Sequence, residues 1–326
     1  VTVPLAERLR QIRQKGIFTM NCYFAPLEGI TGYVFRSAHA DVFPGISRYF
    51  SPFLVPHQNR AFDSREKNDI LPEHNRNITL IPQILTNRSE DFLRLSAELT
   101  RYGYREINLN LGCPSGTVVT RGKGAGFLTD PDGLNRFLDE VCNGLERERL
   151  TLSVKTRIGW EDTGEWPRFL EIFSAYPLTE LIVHPRLRSD FYKGTPHMEA
   201  NSYAASHTQL PLCYNGDLKT TEDIRRLEQN FPGTRAAMIG RGLLETPDLV
   251  ARLQGKPPAS AAQLQRFHDL LLEGYRETIS GDRNVLFKMK EFWSYFGKNF
   301  PGKEKELKKI KKAKDLRTYQ ETAASV

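Results

Sequence analysis

The sequence lacks long apolar runs and has little cysteine. No stretch of its 326 residues approaches the roughly 20 consecutive apolar residues of a membrane-spanning helix, so we expect a soluble protein without membrane contact. The four cysteines are far apart and form no C-x-x-C pair: Cys22, Cys113, Cys142 and Cys213. This spacing argues against a disulfide framework or a structural zinc site, so we predict no metal and a reducing, cytoplasmic environment.

The N-terminal residues lack a secretory signal. Residues 1–19 are basic, but they contain no continuous apolar core and no small-residue cleavage site. Met20 opens directly onto a strand-like run. Residues 1–19 are therefore interpreted either as an extension upstream of the native start or as an ordinary N-terminal helix.

Positive charge is concentrated towards the C-terminal end. The whole chain carries a net charge of +7, whereas residues 283–317 contain twelve Lys and Arg against four acids. That segment alone carries +8, so the remainder is close to neutral at −1. A basic segment of this kind either contacts nucleic-acid phosphates or forms a solvated helix face.

Short apolar runs rich in β-forming residues recur at nearly constant spacing. Their starts are separated by 29, 28, 28, 46, 26, 32 and 26 residues. The eight predicted strands begin at Asn21, Phe50, Ile78, Glu106, Leu152, Leu178, Leu210 and Ala236. Helical patterns separate most of them, and eight such β-α units fill the roughly 250 residues of a (β/α)8 TIM barrel. An open doubly wound sheet is the alternative, but its G-x-G-x-x-G fingerprint after the first strand is absent.

The helical patterns also define a second domain. Between the strands, helices are predicted at 89–102, 131–147, 166–176 and 220–230. The barrel covers residues 20–253, and a linker with two prolines and a glycine follows at 254–259. Beyond it, 262–279 and 285–300 show apolar residues at helical spacing. We therefore predict an α/β barrel followed by a small, basic, all-helical domain at 260–320.

The ends of strands seven and eight carry a candidate phosphate site. In a barrel of this type, the C-terminal ends of the strands build the active site. These two strands end in Asn215-Gly216-Asp217 and Gly240-Arg241, where glycine lets a phosphate approach the backbone and arginine supplies charge. The alternative is that the glycines only serve tight turns.

Strands five and six end in further polar side chains. Lys155 needs an anionic partner if it points into the barrel mouth, because an isolated buried ammonium is costly. That partner is either a bound anion or an internal acid such as Glu106. His184 is either a functional residue or a satisfied interior histidine.

The long interval after strand four holds NLGCPSGTVVTRGKGAGFLTDP. Its five glycines predict a mobile segment rather than a packed element. Cys113 lies just past the strand end, where a thiol can meet a substrate. The alternative is a small core residue, the commoner role of an isolated cysteine.

Six motifs occur in order along the chain: APLEGIT at 25–31, NLNLGCPSG at 108–116, VKTRIGW at 154–160, HPR at 184–186 with Tyr192 and Gly194 downstream, NGD at 215–217 and GRG at 240–242. Together they resemble the dihydrouridine synthase family, flavin enzymes that reduce uridines in RNA. The resemblance covers residues 20 to about 315 and implies an FMN-binding barrel followed by a helical domain.

The resemblance also implies which residues bind the cofactor. The flavin ring is expected near Pro26 and Gln83, with Lys155 and His184 along its edge, and the FMN phosphate is expected against Asn215, Gly216, Asp217, Gly240 and Arg241. A cation beside the ring stabilises the negative charge of reduced FMN. NADPH is the expected reductant.

The implied reaction assigns roles to three more residues. Reduced FMN delivers a hydride to C6 of uracil, and Cys113 donates a proton to C5, because a free thiol is mostly protonated at neutral pH. Asn110 is expected at the uracil edge, and Arg186 at the substrate or its phosphate. The expected partner is RNA, most simply tRNA, bound by the basic domain of a monomer.

Two loops depart from the family's common pattern. Thr117 stands where lysine is frequent, and the segment from 185 reads PRLRSDFYKG instead of a small residue, Arg and Thr. Both loops face RNA in relatives, so the RNA and the uridine used stay open. A flavin reductase of a free pyrimidine or small enone, and a non-catalytic RNA-binding flavoprotein, are the alternative functions.

Overall fold

The chain forms a closed barrel of parallel strands. The computed structural model describes residues 18–326, so all but the last two residues of the predicted extension at 1–19 lie outside it. Every strand pair is parallel. The strands are β1 (Asn21–Phe24), β2 (Arg48–Phe50), β3 (Leu80–Ile81), β4 (Gln83–Ile84), β5 (Glu106–Leu111), β6 (Thr151–Gly159), β7 (Glu180–Leu187), β8 (Leu212–Asn215) and β9 (Ala236–Ile239). The predicted TIM barrel is confirmed.

A proline divides the third predicted strand, and the two halves connect the two ends of the sheet order. β3 pairs with β2 and β4 pairs with β5, while Pro82 lies between β3 and β4. Proline has no N–H to donate, so the ladder is interrupted there. Its carbonyl oxygen still accepts a hydrogen bond from the Asn108 N–H at 2.9 Å. Eight β-α units with one divided strand therefore give nine strands within residues 18–326.

Strand alternation separates the barrel interior from the layer beneath the helices. The interior apolar cluster consists of Tyr23, Ala25, Phe50, Ile81, Ile182, Cys213, Ala236 and Met238. On β6, Leu152 and Val154 pack outward against the helical layer. The intervening Ser153, Lys155 and Arg157 therefore point towards the barrel axis.

Helices surround the barrel and continue beyond it. In the barrel they are α1 (Tyr33–Val42), α2 (Ser64–Ile70), α3 (Ser89–Arg101), α4 (Gly116–Val119), α5 (Pro131–Arg147), α6 (Trp166–Ser174), α7 (Met198–His207), α8 (Thr221–Asn230), α9 (Arg241–Glu245) and α10 (Leu249–Leu253). The C-terminal helices are α11 (Ala261–Thr278), α12 (Asp282–Phe296), α13 (Glu304–Lys312) and α14 (Leu316–Ala323). The four helices predicted between strands are present within two residues of their predicted ends.

Two of these helices begin at residues whose side chains cap the first turn. The Thr220 hydroxyl accepts a hydrogen bond from the Asp223 N–H at 3.1 Å at the start of α8. The Asp130 carboxylate accepts one from the Gly133 N–H at 2.9 Å at the start of α5. Such caps satisfy backbone donors that the first helical turn leaves unpaired.

The C-terminal helices share a hydrophobic core with the barrel. Phe267 of α11 and Phe292 of α12 pack edge-to-face against Phe35 of α1, with ring centroids 5.5 and 6.4 Å away. Phe43, which follows α1, packs against Phe267 at 5.2 Å. The same cluster continues to Tyr319 of α14. The helical segment is therefore held against one side of the barrel by buried aromatic rings.

The segment after β5 is more compact than its glycines predict. Residues 124–129 form a 3-10 helix in which Ala125 and Leu128 are buried. The Ala125 N–H donates to the Cys113 carbonyl oxygen at 3.0 Å. A side chain at Gly126 would lie 2.6 Å from the Val119 carbonyl oxygen, so glycine here permits close packing. The expectation of a mobile, unpacked segment was wrong for this half.

Candidate active site

A cavity of about 660 Å³ opens at the C-terminal ends of the strands. This volume is in the range of pockets that hold small-molecule cofactors. Its wall contains eleven of the twelve residues predicted to form the site: Pro26, Gln83, Asn110, Cys113, Lys155, His184, Asn215, Gly216, Asp217, Gly240 and Arg241. The missing residue is Arg186. The barrel thus brings together side chains from seven strand ends.

A chain of amide side chains positions the Cys113 loop. The Asn108 side-chain amide donates to the Ser153 hydroxyl at 3.0 Å, and the Gln83 side-chain amide donates to the Asn108 side-chain oxygen at 2.8 Å. The Asn110 side-chain amide in turn donates to the Gln83 side-chain oxygen at 2.7 Å. The Asn110 side-chain oxygen accepts from the Cys113 N–H at 3.0 Å. Asn110 therefore holds the loop as well as lining the cavity, and a contact with uracil stays a prediction.

Cys113 is a half-buried thiol at the cavity wall. Burial raises the pKa of this thiol above its usual value, and a backbone hydrogen bond and the charges of Arg157 and Lys155 oppose the rise only in part. The protonated form therefore dominates at neutral pH. A thiol in this state can donate a proton, unlike the thiolate that a nucleophilic cysteine requires.

Lys155 presents an ammonium group without an acidic partner in the described residues. Burial, assisted by repulsion from Arg157, lowers the pKa of Lys155 to about 8. Glu106, the internal partner considered from the sequence, instead pairs with Arg48 at 3.0 Å. The Lys155 ammonium lines the cavity, where a bound anion would offset the cost of its desolvation.

His184 is a neutral imidazole at the cavity wall. Burial, together with the positive charges of Lys155, Arg157 and Arg186, holds the pKa of His184 well below its usual value. The Arg186 guanidinium donates to the His184 Nε2 at 3.2 Å. Because Nε2 accepts this hydrogen bond, the ring proton is on Nδ1.

Arg186 lies behind the cavity rather than in its wall. Its side chain is 1% exposed and donates to the Asp217 carboxylate at 2.5 Å. It also donates to the backbone carbonyl oxygens of Lys193 and Gly194. These contacts use four of its five N–H donors, and a contact of Arg186 with the substrate stays a prediction. In the structure Arg186 holds His184 and Asp217 in place.

The predicted phosphate region is cationic, although it contains a carboxylate. Asp217 accepts from the guanidinium groups of Arg186 and Arg241, the latter at 3.2 Å. Burial alone would raise the pKa of Asp217, but these arginines lower it below its usual range. Asp217 also has a left-handed backbone, with φ of 43°, which Asp tolerates better than most residues. Two arginines against one carboxylate leave a net positive charge for an anion.

Arg157 connects the loops that follow β5 and β7. This buried guanidinium donates to the carbonyl oxygens of Gly112 at 2.9 Å, Leu187 at 2.7 Å and Phe191 at 2.6 Å. It therefore ties the Cys113 loop to the loop after β7. Strand alternation places Arg157 on the same face as Lys155, which is the sequence signal that identifies it.

Four aromatic residues that sequence reasoning did not assign also line the cavity, and one of them is Phe53. Phe191 and Tyr192 are exposed at its rim, and the guanidinium groups of Arg157 and Arg241 lie 5.3 and 5.5 Å from the centroid of the Tyr192 ring. Tyr295 comes from α12 in the helical segment. Tyr192 was visible in the family motif, whereas no sequence signal places α12 beside the barrel mouth.

One group of metal-ligating residue types occurs within the described part of the chain, outside the cavity. It consists of His57, Asp63 and Glu66. The Glu66 carboxylate already accepts hydrogen bonds from the Val55 N–H at 2.9 Å and the Asp63 N–H at 2.8 Å. This carboxylate therefore closes the N-terminal turn of α2, and we assign no metal to the group.

Over residues 18–326, no helix combines the length and apolar character needed to cross a bilayer.

Comparison with known proteins assigns the family. The family model described as dihydrouridine synthase matches residues 23–325, nearly all of the described chain. The chain belongs to the dihydrouridine synthase family. The resemblance inferred from the six motifs is confirmed, and the protein is an oxidoreductase.

Relatives of this dihydrouridine synthase family member include proteins from two bacteria. A probable tRNA-dihydrouridine synthase of Staphylococcus aureus is 27% identical over 235 residues, which are 68% of each chain. A tRNA-dihydrouridine(16) synthase of Cupriavidus necator is 29% identical over 245 residues, covering 72% of this chain and 73% of that protein.

Solved structures of other oxidoreductases share the fold. Morphinone reductase superposes with a TM-score of 0.52 at 12% identity, covering 74% of this chain and 88% of that one. A variant of NCR from Zymomonas mobilis superposes with a TM-score of 0.50 at 14% identity, covering 76% and 90%. At these identities the likeness concerns the barrel architecture alone.

Proposed function

We propose that this protein uses FMN and NADPH to reduce uridines in tRNA to 5,6-dihydrouridine. The observation that carries the proposal is the meeting of two groups in one cavity: the Cys113 thiol, kept protonated by burial, and the Lys155 ammonium, which lacks an acidic partner in residues 18–326. The first can supply a proton and the second can hold a negative charge. Both are needed where a hydride acceptor develops charge and must then be protonated.

The residues of the cavity suit a phosphate-bearing flavin. Lys155 and the neutral His184 offer donors to a polar ring, next to the apolar wall of Ala25 and Pro26. Arg241 supplies charge where a backbone with glycine at 216 and 240 allows a phosphate to approach. When bound, reduced FMN supplies the hydride for C6 of the uracil ring. We assign Gln83, Asn215 and Asp217 to shaping this wall.

Cys113 completes the reduction by protonating C5 of the uracil. Hydride addition at C6 leaves negative charge at C5, conjugated to the C4 carbonyl. Transfer of the thiol proton to C5 forms the second C–H bond and leaves a thiolate, which regains a proton from solvent. The amide chain ending in Asn110 holds the Cys113 backbone in place for this transfer.

The basic helices border the cavity and suit an RNA substrate. Tyr295 of α12 lines the cavity, and the Lys288 ammonium of the same helix donates to the Gly29 carbonyl oxygen beside the rim. A target base in folded RNA must leave its stack to enter the cavity, at a cost of a few kcal/mol. Contacts between these helices and RNA phosphates would offset that cost. A free pyrimidine gives the basic segment no role, which disfavours that alternative.

The test is a visible spectrum of the purified protein, followed by mapping of dihydrouridine by mass spectrometry. We expect flavin absorbance, and dihydrouridine in tRNA from cells that contain the protein but not at the same position in cells that lack it. Purified protein with NADPH should restore the modification to the unmodified tRNA. Reduction of free uracil or uridine with no reduction of RNA would contradict the proposal, as would a protein that binds RNA without forming dihydrouridine.

A further inference from the structure

The loop after β7 carries an exposed aromatic residue at the rim of the cavity. Phe191 is 40% exposed and lines the cavity wall. Within residues 18–326, no other aromatic ring stacks on it, although the Arg188 guanidinium lies over its ring at 4.8 Å from the centroid. One face of the ring is therefore covered by a cation, while a large part of the side chain remains open to solvent.

The cation that covers the Phe191 ring also contacts a second aromatic ring, that of Trp160. The Arg188 guanidinium lies 4.7 Å from the centroid of the Trp160 ring as well, so that it is held between Trp160 and Phe191. It forms no ion pair with a carboxylate in the described residues, and its Nε is buried without a hydrogen-bond partner. Backbone hydrogen bonds from Arg188 N–H to Gly159 O at 2.9 Å and from Ser189 N–H to Trp160 O at 3.0 Å join the two loops.

The backbone of Phe191 adopts a conformation that a bulky residue avoids. Its φ is 52°, in the left-handed region that favours glycine. The surrounding turn holds it there, because Arg157 donates to the Phe191 carbonyl oxygen and the Leu187 N–H donates to the Asp190 carboxylate at 2.8 Å. An aromatic side chain that is both exposed and strained contributes little to folding, so its place at the rim points to binding.

A buried arginine also connects Phe191 to the loop that carries Cys113. Arg157 bonds the Phe191 carbonyl oxygen and, through its Nε, the Gly112 carbonyl oxygen next to Cys113. The position of the Phe191 ring relative to the thiol is therefore set by one buried guanidinium. A base stacked on Phe191 would help to place the adjacent nucleotide over the cavity.

We propose that Phe191, backed by Arg188 and Trp160, is a stacking site for the nucleobase next to the target uridine. The inference rests on the proposed RNA substrate. Stacking on an aromatic ring suits any base, because each has a flat π face. A single-stranded or extruded segment of RNA is the ligand that such a site at the mouth of a cavity fits.

The test compares Phe191→Ala and Phe191→Leu with Phe191→Tyr. Leu retains apolar bulk without an aromatic face, whereas Tyr retains the face. We measure the affinity for fluorescently labelled total tRNA from cells lacking the protein, and the KM and kcat for that tRNA. Ala and Leu should each weaken binding and raise KM by about fivefold or more, the lower range for loss of one stacked base. Tyr should behave as wild type.

Two controls separate stacking from damage to the fold. Flavin content and the midpoint of thermal unfolding should be unchanged in all three variants. Wild-type affinity in Phe191→Ala, or in Phe191→Leu, would overturn the stacking site. If the wild-type protein binds tRNA but forms no dihydrouridine, the proposed function fails while the affinity comparison still decides the stacking site; if it binds no tRNA, both fail.

Discussion

At the residue scale, the chemistry depends on two groups whose protonation is set by burial. Cys113 is held as a thiol because burial raises its pKa. Lys155 keeps its proton at neutral pH, but burial and Arg157 lower its pKa to about 8. The first group suits a proton donor, and the second suits a partner for an anion that binds in the cavity.

Replacement of Cys113 tests the proton donor. Cys113→Ala should lower the rate of dihydrouridine formation by about 10²- to 10⁴-fold, the usual contribution of a positioned general acid. Flavin content and tRNA affinity should remain. Cys142→Ala is the matched control, because Cys142 is also half-buried but lies on α5 outside the cavity wall. An unchanged rate in Cys113→Ala would remove the acid role.

Lys155 should make FMN binding dependent on pH. Its pKa is depressed to about 8, so the ammonium is present below that pH and is lost above it. The affinity of the apoprotein for FMN should therefore fall by about tenfold as the pH rises from 7 to 9.5, the order expected for one charged hydrogen bond. Titration of flavin fluorescence measures it.

The Lys155→Met variant is the control for this pH dependence. The Met side chain is similar in length to that of Lys and replaces its methylene chain with apolar atoms, but it carries no charge. We expect weak FMN binding that changes little between pH 7 and 9.5. If the FMN affinity of Lys155→Met fell with pH as it does in the wild type, a group other than Lys155 would be responsible for the pH dependence.

At the element scale, α13 separates a buried side from a cationic side. Ile310 is buried in the shared core, whereas Lys308, Lys309 and Lys312 are exposed and form no ion pairs within the described residues. Their charge does not contribute to packing. It is available for phosphate contacts, one of the two roles that the basic composition leaves open.

A triple substitution tests this surface. Lys308→Gln, Lys309→Gln and Lys312→Gln together should weaken tRNA binding at low salt and reduce the slope of log affinity against log salt by up to about 3. Thermal stability and NADPH oxidation without RNA should be unchanged, because these side chains are exposed. Equal affinity and slope in the variant would identify α13 as a solvated helix face.

At the scale of the whole molecule, the barrel and the helical segment depend on the same core. Phe35 and Phe43 from the barrel meet Phe267 and Phe292 from the helices, so neither side buries its aromatic rings alone. The linker at 254–259 therefore joins two regions that we expect to unfold together. Removing α12 to α14 would expose this core, which makes substitution a cleaner test of RNA binding than truncation.

Phe292→Ala tests this coupling. Loss of a buried phenylalanine costs about 3 to 5 kcal/mol. We expect one thermal transition in wild type and variant, shifted to lower temperature in the variant, with flavin release and loss of helical circular dichroism at the same temperature. Two separate transitions, with the flavin retained through the first, would show that the helical segment folds independently.

The sequence alone determined the barrel, the order of its strands and eleven of the residues that line the cavity. Local spacing carries this information, because strands and helices bury apolar residues at fixed periods and the ends of parallel strands meet at one edge. The tertiary structure alone decided that Arg186 turns away to Asp217, that Ala125 and Leu128 pack, and that Tyr295 reaches the cavity. Each depends on contacts between residues distant in the chain, and no local pattern specifies which partner a side chain meets.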